Sequence, residues 1–301
     1  MKRLLLFLFL TGLASFSQAQ MRWDFGAGFV ASNYLGDIGG TKWLGTRSVE
    51  DMQLKQTGLG YVGFARFAIT PLSFVRLSYT YGEISGADSL SPGTPRGVRN
   101  LSFRNRLHEG ALVFERSIID NFYAMVKGGV KVDFRFFLFG GGAYYFGNPQ
   151  ANLQNKWYDL APLKTEGQVV PYKTHGFSIP FGVGFNYTVF HKNNVMRYEA
   201  RIGFRKTFTD YLDDLSFNYA DPAVFDDPIA YALADRRKVN RDDYHSIAGA
   251  KRGNSTYKDM YVFAELTISF VGAGSSPDDC AKFQRQLNRK RKTRKFSRAY
   301  F

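Results

Sequence analysis

Two pairs of polar side chains in this sequence are of types that could support catalysis. His175 and Ser178 could serve acyl transfer, in which a histidine base activates a serine hydroxyl. His108 and Glu109 form a second acid–base pair of this kind. Both pairs fall in segments with the alternation of β-strands, and at an odd spacing two side chains point to opposite faces. We therefore predict that neither pair meets, that the protein is not an enzyme, and that it binds no cofactor and no small-molecule substrate.

A run of carboxylates between residues 210 and 227 is a third candidate, because oxygen-rich clusters bind calcium. The spacing fits no ordered calcium loop, and aspartate is also a common turn-forming and capping residue. We therefore expect turn and capping roles and no metal site. The aspartates concerned are Asp210, Asp213, Asp214, Asp221, Asp226 and Asp227.

The N-terminus has the pattern of an export signal. Lys2 and Arg3 precede the apolar run Leu4–Leu10, and Ser17-Gln18-Ala19 supplies small residues where cleavage would occur. This pattern predicts a signal peptide over residues 1–19. The apolar run is far shorter than the ~20 residues of a spanning helix, and the mean hydropathy of −0.27 argues against a helical membrane protein.

The densest charge lies near the C-terminus, in a segment that we call the tail, residues 272–301. Nine basic residues against two acidic ones give it +7, half of the formal net charge of +14. Since the export signal excludes contact with nucleic acid, we interpret the tail as a docking arm for an acidic periplasmic partner, anionic lipid or cell-wall polymer, with a solvated tail as the alternative. The predicted partner-binding residues are Lys282, Arg285, Arg289, Lys290, Arg291, Lys292, Arg294, Lys295 and Arg298.

The candidate catalytic pairs lie on or next to predicted strands that each have one apolar face. Along Met260–Phe270, apolar side chains alternate with a mostly polar set, which is the period of a strand. Similar segments recur between connections rich in Gly, Pro, Asn and Asp. We predict eight strands: Arg22–Asn33, Gly58–Thr70, Ser73–Ser85, Arg104–Ser117, Asp133–Phe146, Phe177–Val189, Val195–Tyr211 and Met260–Phe270. Ile118–Val132 either extends both of its neighbouring strands or holds another hairpin.

The connections between these strands alternate in length, as they do in outer-membrane barrels. The long ones would be Tyr34–Thr57, Gly86–Phe103, Gly147–Thr174 and Leu212–Thr256. Aromatic strand ends suit the girdles of such a barrel, namely Tyr79, Tyr81, Tyr144, Tyr145 and Phe270. Together with the export signal, these features favour an all-β, eight-stranded antiparallel transmembrane β-barrel over a soluble sandwich. The barrel would cover residues 20–271, with four long extracellular loops and the tail in the periplasm.

Charged residues on the polar faces of the strands would then point into the barrel. The interior of an eight-stranded barrel is only wide enough for side chains to fill it, and an unpaired charge there is costly. We predict an ion-paired lumen in place of a diffusion pore. Its members would be Arg66, Arg76, Arg197, Glu199, Arg201, Arg205 and Glu265.

Five stretches resemble a family of Gram-negative outer-membrane barrels that includes the PorG component of the type IX secretion system. They are ASNYLGDIGG at 31–40, FFLFGGGAYYFGNP at 136–149, IPFGVG at 179–184, RKTFTDYLDDLS at 205–216 and RGN at 252–254. The resemblance implies an eight-stranded barrel in the outer membrane that contacts a periplasmic ring of the secretion machine. It does not imply an enzyme or a pore.

The leading hypothesis is therefore a non-enzymatic outer-membrane barrel that docks or organises an envelope assembly, with type IX secretion and gliding as the specific expectation. Its partners would be outer-membrane lipid and a periplasmic protein such as a secretion-system ring. Two alternatives stay open. The extracellular loops could bind an external ligand or matrix, or the barrel could be a lipid-modifying enzyme.

Overall fold

The computed structural model describes residues 23–38, 52–70, 72–126, 130–190, 195–237 and 248–271, with the backbone alone over 120–131. The predicted signal peptide and the tail lie outside these residues. The described strands form one antiparallel sheet of ten: β1 Trp23–Leu35, β2 Gly58–Thr70, β3 Ser73–Ala87, β4 Ser102–Val126, β5 Val130–Phe146, β6 Pro149–Leu153, β7 Lys156–Asp159, β8 His175–Phe190, β9 Val195–Thr207 and β10 Met260–Val271.

Eight of these strands close into a barrel. Their order is β3-β2-β1-β10-β9-β8-β5-β4, and β4 pairs back with β3 from Ser73↔Arg116 to Ala87↔Ser102. β10 lies between β1 and β9, so the last strand of the barrel pairs with the first. The predicted all-β, eight-stranded antiparallel barrel is confirmed.

The structure decides one strand boundary that the sequence left open and corrects another. β4 runs to Val126 and β5 begins at Val130, so both neighbouring strands extend into the segment Ile118–Val132, the first of the two alternatives. β9 ends at Thr207, and the predicted end at Tyr211 is wrong. The chain leaves the sheet there because Asp259 replaces a strand partner: its backbone N–H donates to the Thr209 carbonyl, 3.1 Å away, and its carboxylate accepts from the Leu212 N–H at 2.9 Å.

The third long connection contains the hairpin β6–β7, which the sequence analysis missed. Its two turn residues, Gln154 and Asn155, have φ of 52° and 64°, the left-handed pair that suits a two-residue hairpin turn. Short helical segments occur in all four long connections: Leu54–Gln56, Asp88–Leu90, Pro95–Arg99, Leu160–Leu163, Pro222–Val224 and Pro228–Ala234. Among the described residues no helix is both long and apolar enough to cross a membrane.

The barrel has its apolar side chains outside and its charges inside. On adjacent positions of β10, Glu265 is 4% exposed and Leu266 is 67% exposed, and on β1 Phe29 is 78% exposed. This is the reverse of a soluble sandwich and the arrangement of a transmembrane barrel. One predicted girdle residue is wrong: Tyr145 is buried and packs against Tyr261 inside, since it follows the outward Tyr144 and must face the other way.

The long connections fold together over one end of the barrel into a structure that we call the cap, residues 36–38, 52–57, 88–101, 147–174, 208–237 and 248–259. Its apolar core is continuous with the barrel mouth. Leu101, Leu160 and Leu215 from the cap share one buried cluster with Ile84 and Phe263 from the barrel strands. The cap is therefore packed on the mouth of the barrel. The predicted long loops are present, but much of their length is folded structure.

Candidate functional site

The lumen contains a network of five arginines and five carboxylates. They come from six of the eight barrel strands, β1, β2, β3, β4, β9 and β10, and each side chain is at most 9% exposed. The arginines are Arg66, Arg76, Arg197, Arg201 and Arg205, and the acids are Asp24, Glu109, Glu115, Glu199 and Glu265. The two signs balance, as a dry interior requires.

Glu199 lies at the centre of this network. Its two carboxylate oxygens accept from Arg66 at 2.5 Å and Arg76 at 2.9 Å. Arg76 continues to Glu265 at 3.0 Å, and Glu265 accepts in turn from Arg205 at 3.0 Å. A chain of charge-assisted hydrogen bonds thus joins β2, β3, β9 and β10 across the lumen.

Aromatic rings fill the space beside the arginines. The Arg76 guanidinium lies 3.8 Å from the centre of the Phe64 ring. Arg201 lies 4.0 Å from the ring of Phe139, and Arg205 lies 4.3 Å from that of Phe263. These contacts stabilise a desolvated cation through the negative face of the ring. The lumen is packed with side chains.

All seven residues predicted for the lumen lie inside the barrel, and the structure joins them through acids that the sequence analysis left out. Arg201 binds Glu115 at 2.8 Å, Arg205 lies 3.4 Å from Glu109, and Arg197 bonds to Asp24. Asp24 alternates with the exposed Phe25 on β1, and Glu109 and Glu115 alternate with exposed residues such as Phe114 on β4. The alternation of the sequence therefore places these acids on the inner face of the barrel.

The cap has a second buried network, built around two arginines. Arg99 forms a bidentate pair with Asp88 and also donates to the backbone carbonyls of Asp37 and Arg252, at 2.6 and 2.7 Å. The Asp88 and Arg99 segments belong to the second connection, whereas Asp37 is in the first and Arg252 in the fourth. One side chain therefore ties three connections together.

Arg252 completes this arrangement. It binds the Asp214 carbonyl at 2.6 Å, the Asp214 carboxylate at 3.2 Å, the Ala234 carbonyl at 3.2 Å and Glu166 of the third connection at 3.1 Å. Glu166 in turn accepts from the N–H groups of Ser216 and Phe217, at 3.0 and 3.1 Å. Through Arg99 and Arg252, all four long connections are joined.

Several carboxylates of the cap hold backbone amides. Asp37 accepts from the Asn254 N–H at 2.5 Å, and Asp213 accepts from the Ile38 N–H at 3.1 Å. Asp259 accepts from the Tyr34 hydroxyl at 2.5 Å as well as from Leu212. Three of the stretches that carried the family resemblance, at 31–40, 205–216 and 252–254, meet at these contacts.

Burial raises the pKa of four carboxyl groups in the cap. Burial raises the pKa of Asp210 to about 7. Burial, followed by repulsion from Asp37, raises the pKa of Asp213 well above its usual value. The pKa of Asp259 is raised by burial and by Asp213, and that of Asp37 by burial, against the opposing effect of the Asn254 amide and Arg99. The cap thus has more buried acid than its arginines neutralise.

Five of the six aspartates first considered for calcium have separate structural partners, and Asp226 is exposed. Asp213 and Asp214 hold the cap network, and Asp210 lies 4.0 Å from the Lys258 ammonium. Asp221 and Asp227 accept from the N–H groups at the starts of the segments Pro222–Val224 and Pro228–Ala234. In the described ranges no three His, Cys, Asp or Glu side chains are grouped to hold a metal ion.

The structure separates the two candidate catalytic pairs. His175 is outside the barrel, where its Nδ1 lies 2.5 Å from the Tyr144 hydroxyl, while Ser178 is inside, 3.3 Å from the Tyr261 hydroxyl. His108 is likewise outside, against Tyr79 at 2.7 Å. Its neighbour Glu109 is inside the lumen. The nine predicted tail residues lie outside the described part of the chain.

An apolar outer wall, an ion-paired lumen and a cap over one end define the class: an outer-membrane type β-barrel of eight strands. Residues 2–219 match the family described as "Domain of unknown function (DUF6089)", and the chain belongs to that family. No curated protein matches the sequence.

Two solved structures are similar to this chain at low identity. One is Ail, the attachment invasion locus protein of Yersinia pestis, solved in complex with the heparin analogue sucrose octasulfate. The two sequences are 9% identical, the alignment covers 84% of this chain and 99% of that chain, and the TM-score is 0.33. The other is CarO2 of Acinetobacter baumannii, which is 12% identical in sequence. The alignment covers 82% of this chain and 98% of that chain, and the TM-score is 0.22.

Proposed function

We propose that this protein is a non-enzymatic outer-membrane barrel that anchors a periplasmic assembly, with the cap outward and the tail in the periplasm. The observation that carries the proposal is the closed interior, in which Arg76 and Glu199 are buried beneath a packed cap. With the lumen filled, the outer wall, the cap and the tail are the surfaces left for function.

The topology supports a periplasmic role for the tail. β10 begins beside the cap at Met260 and ends at Val271, at the opposite end of the barrel. The chain then continues into the nine basic residues from Lys282 to Arg298. A basic segment of this density attracts acidic protein surfaces. The specific partner that we propose, a periplasmic ring of type IX secretion, comes from the resemblance of the five sequence stretches.

Removal of residues 282–301 tests this proposal. We expect loss of periplasmic proteins that crosslink to the tail in intact cells and copurify with the barrel, while the barrel keeps its heat-modifiable mobility in gels. A matched variant with the nine basic residues changed to glutamine keeps the length of the tail and should lose the same partners. An unchanged set of partners in both variants would disprove docking through the tail. Partners unrelated to protein secretion would disprove the type IX role alone.

The outer face of the cap favours a second candidate, binding of an external ligand. Val169 and Val170 are 91% and 70% exposed, and Phe217 is 58% exposed. Glu166 holds the Phe217 amide, so these apolar side chains belong to neighbouring segments. If serine substitutions at these three positions changed the phenotype and removal of the tail did not, external binding would replace periplasmic docking as the function.

A further inference from the structure

The lipid-facing wall has a groove over four adjoining strands, β1, β10, β9 and β8. Cross-strand registers place Ala31, Ala264, Ile202 and Val183 in one row, and Phe29, Leu266, Ala200 and Phe185 in the next. Alanines form the floor, and the exposed side chains of Phe29 and Leu266 rise beside it. The cavity has a volume of about 600 Å³. A second cavity of about 380 Å³ adjoins it away from the cap and shares Phe29, Ala200 and Leu266.

Two lysines lie on the same outer wall, at the cap end of β9 and β10. Lys206 is exposed, and its register partners are Ile179 and Met260. Lys258 lies two residues before Met260, which makes it a diagonal neighbour of Lys206, roughly 7–8 Å away and within reach of long side chains. Within the described part of the chain Lys206 forms no ion pair. The Lys258 ammonium donates to the Ser255 carbonyl at 3.3 Å and lies 4.0 Å from the Asp210 carboxylate, and both of these contacts are weak.

The distance between the two lysines and the groove suits a single amphipathic molecule. From Lys206 to Ile202 is four residues along β9, or about 13 Å at the rise of a strand. An apolar chain that enters the groove would therefore place its polar end beside the two ammonium groups. Lysine is a point-charge ligand for phosphate, and Phe177 and Phe208 on the same face are exposed and suited to the membrane interface.

We propose that this wall is a binding site for a phosphate-bearing lipid, with its headgroup on Lys206 and Lys258 and one acyl chain in the groove. The proposal depends on the membrane placement given above but not on the tail or its partner. Charge complementarity selects the occupant, since a groove for ordinary lipid chains alone would need no pair of cations at its end. A second copy of the barrel would bring like charges together at the same place.

Quenching by brominated lipids tests this proposal on the full chain. Trp23, Trp43 and Trp157 are changed to phenylalanine, and Phe204→Trp supplies a reporter between Lys206 and the groove. The protein is placed in phosphatidylcholine vesicles in which either the phosphatidylcholine or an added phosphatidic acid carries brominated chains. We expect phosphatidic acid to bind beside the reporter roughly fivefold more strongly than phosphatidylcholine, the effect of one basic side chain at an anionic lipid surface.

Matched variants separate the headgroup from the chain. Lys206→Gln with Lys258→Gln should abolish the preference, whereas Arg106→Gln, at an exposed arginine paired with Glu83 on another strand, should leave it unchanged. Ala200→Phe fills the groove and should reduce quenching by brominated phosphatidic acid. Gly110→Phe, into open space on β4, should not.

Each contrary outcome has its own meaning. Equal quenching by the two lipids in the parent protein would overturn the proposal and leave a wall with no lipid preference. A reporter shielded from both lipids, in a protein that forms dimers, would overturn it in favour of a second copy. If no brominated lipid quenched the reporter of a folded monomer, the membrane placement itself would be wrong, which separates this failure from that of the lipid site.

Discussion

The lumen and the cap both bury arginine–carboxylate networks, but their arginines bind different kinds of group. In the lumen, Arg66 and Arg76 bind side-chain carboxylates from strands that the sheet already holds in place. In the cap, Arg99 and Arg252 divide their hydrogen bonds between carboxylates and backbone carbonyls. The lumen network therefore neutralises charge within an existing wall, whereas the cap network also specifies the path of the chain.

This difference has a physical reason. Every strand of the barrel pairs with two neighbours, so its backbone groups are satisfied before any side chain is considered. The cap has few regular elements, and its buried amides and carbonyls need partners from side chains because an unsatisfied buried group is costly. Asp37 and Asp213 supply acceptors for amides, and the two arginines supply donors for carbonyls. Loss of one partner should consequently act globally in the lumen and locally in the cap.

The largest expected effect is in the lumen, for Glu199→Gln. This change leaves Arg66 and Arg76 buried without their shared carboxylate, and removal of one partner of a buried pair costs about 3–5 kcal/mol. We expect the free energy of unfolding in lipid vesicles, measured with urea and tryptophan fluorescence, to fall by that amount. Glu83→Gln, which breaks the exposed pair with Arg106, is the matched control and should change little. Equal losses for the two variants would show that the lumen network does not stabilise the barrel.

The next effect is in the cap, for Arg252→Ala, which removes four hydrogen bonds of a buried cation. We expect local opening of the cap to become easier by about 3 kcal/mol, the scale of one or two charge-assisted hydrogen bonds. Amide hydrogen exchange at Ser216 and Phe217, whose amides Glu166 holds, should therefore accelerate, while the urea midpoint of the barrel stays close to that of the parent. Arg252→Lys keeps the charge and should rescue little, because an ammonium cannot reach four separate acceptors.

Unfolding of the barrel together with its cap in Arg252→Ala would contradict a merely local effect of this residue. The two regions would then form one cooperative unit, and the shared apolar cluster around Leu215 and Phe263 would be the reason. Protease cleavage within the cap of an otherwise folded barrel would instead show that the cap opens independently of the barrel.

The strands and the lumen could be predicted from the sequence because both follow from local alternation. A period of two assigns each residue to a face, and an apolar outer face with charges opposite it leaves one consistent architecture. The errors arose where alternation stops. The end of β9 at Thr207 depends on Asp259, which is 52 residues away, and Tyr145 was assigned by type to a girdle that its parity excludes.

The cap could not be predicted, since its contacts join residues that are distant along the chain and show no period. Asp37 and Asn254 are separated by 217 residues, and Arg99 reaches Arg252 across 153. The carboxylates of the fourth connection were visible as a cluster, but their partners were not. The hairpin β6–β7 was also hidden, because its turn is Gln154-Asn155 in place of a glycine turn.

The smallest expected effect concerns pH and also separates the two regions. Asp210 has a folded pKa of about 7, raised by burial, against about 3.9 in an unfolded chain. Its protonated form is favoured in the folded cap, so its contribution to stability is complete below about pH 4 and is lost as the pH rises to about 7. Asp213 and Asp259, whose pKa values are also raised by burial, act in the same direction.

Cap amides should therefore exchange faster at pH 8 than at pH 5 beyond the intrinsic change with pH. The two pKa units between pH 5 and the folded pKa of about 7 correspond to roughly a hundredfold, and solvent screening of the Asp210 carboxylate reduces the expected effect to about tenfold. Asp210→Asn keeps the shape of the side chain without its charge and should reduce this excess, while Asp226→Asn, at an exposed aspartate of the same connection, should not. Amides of the lumen strands serve as the internal reference, because the carboxylates there are paired with arginines. If the lumen strands showed the same pH response as the cap, the unneutralised acid of the cap would not be its cause.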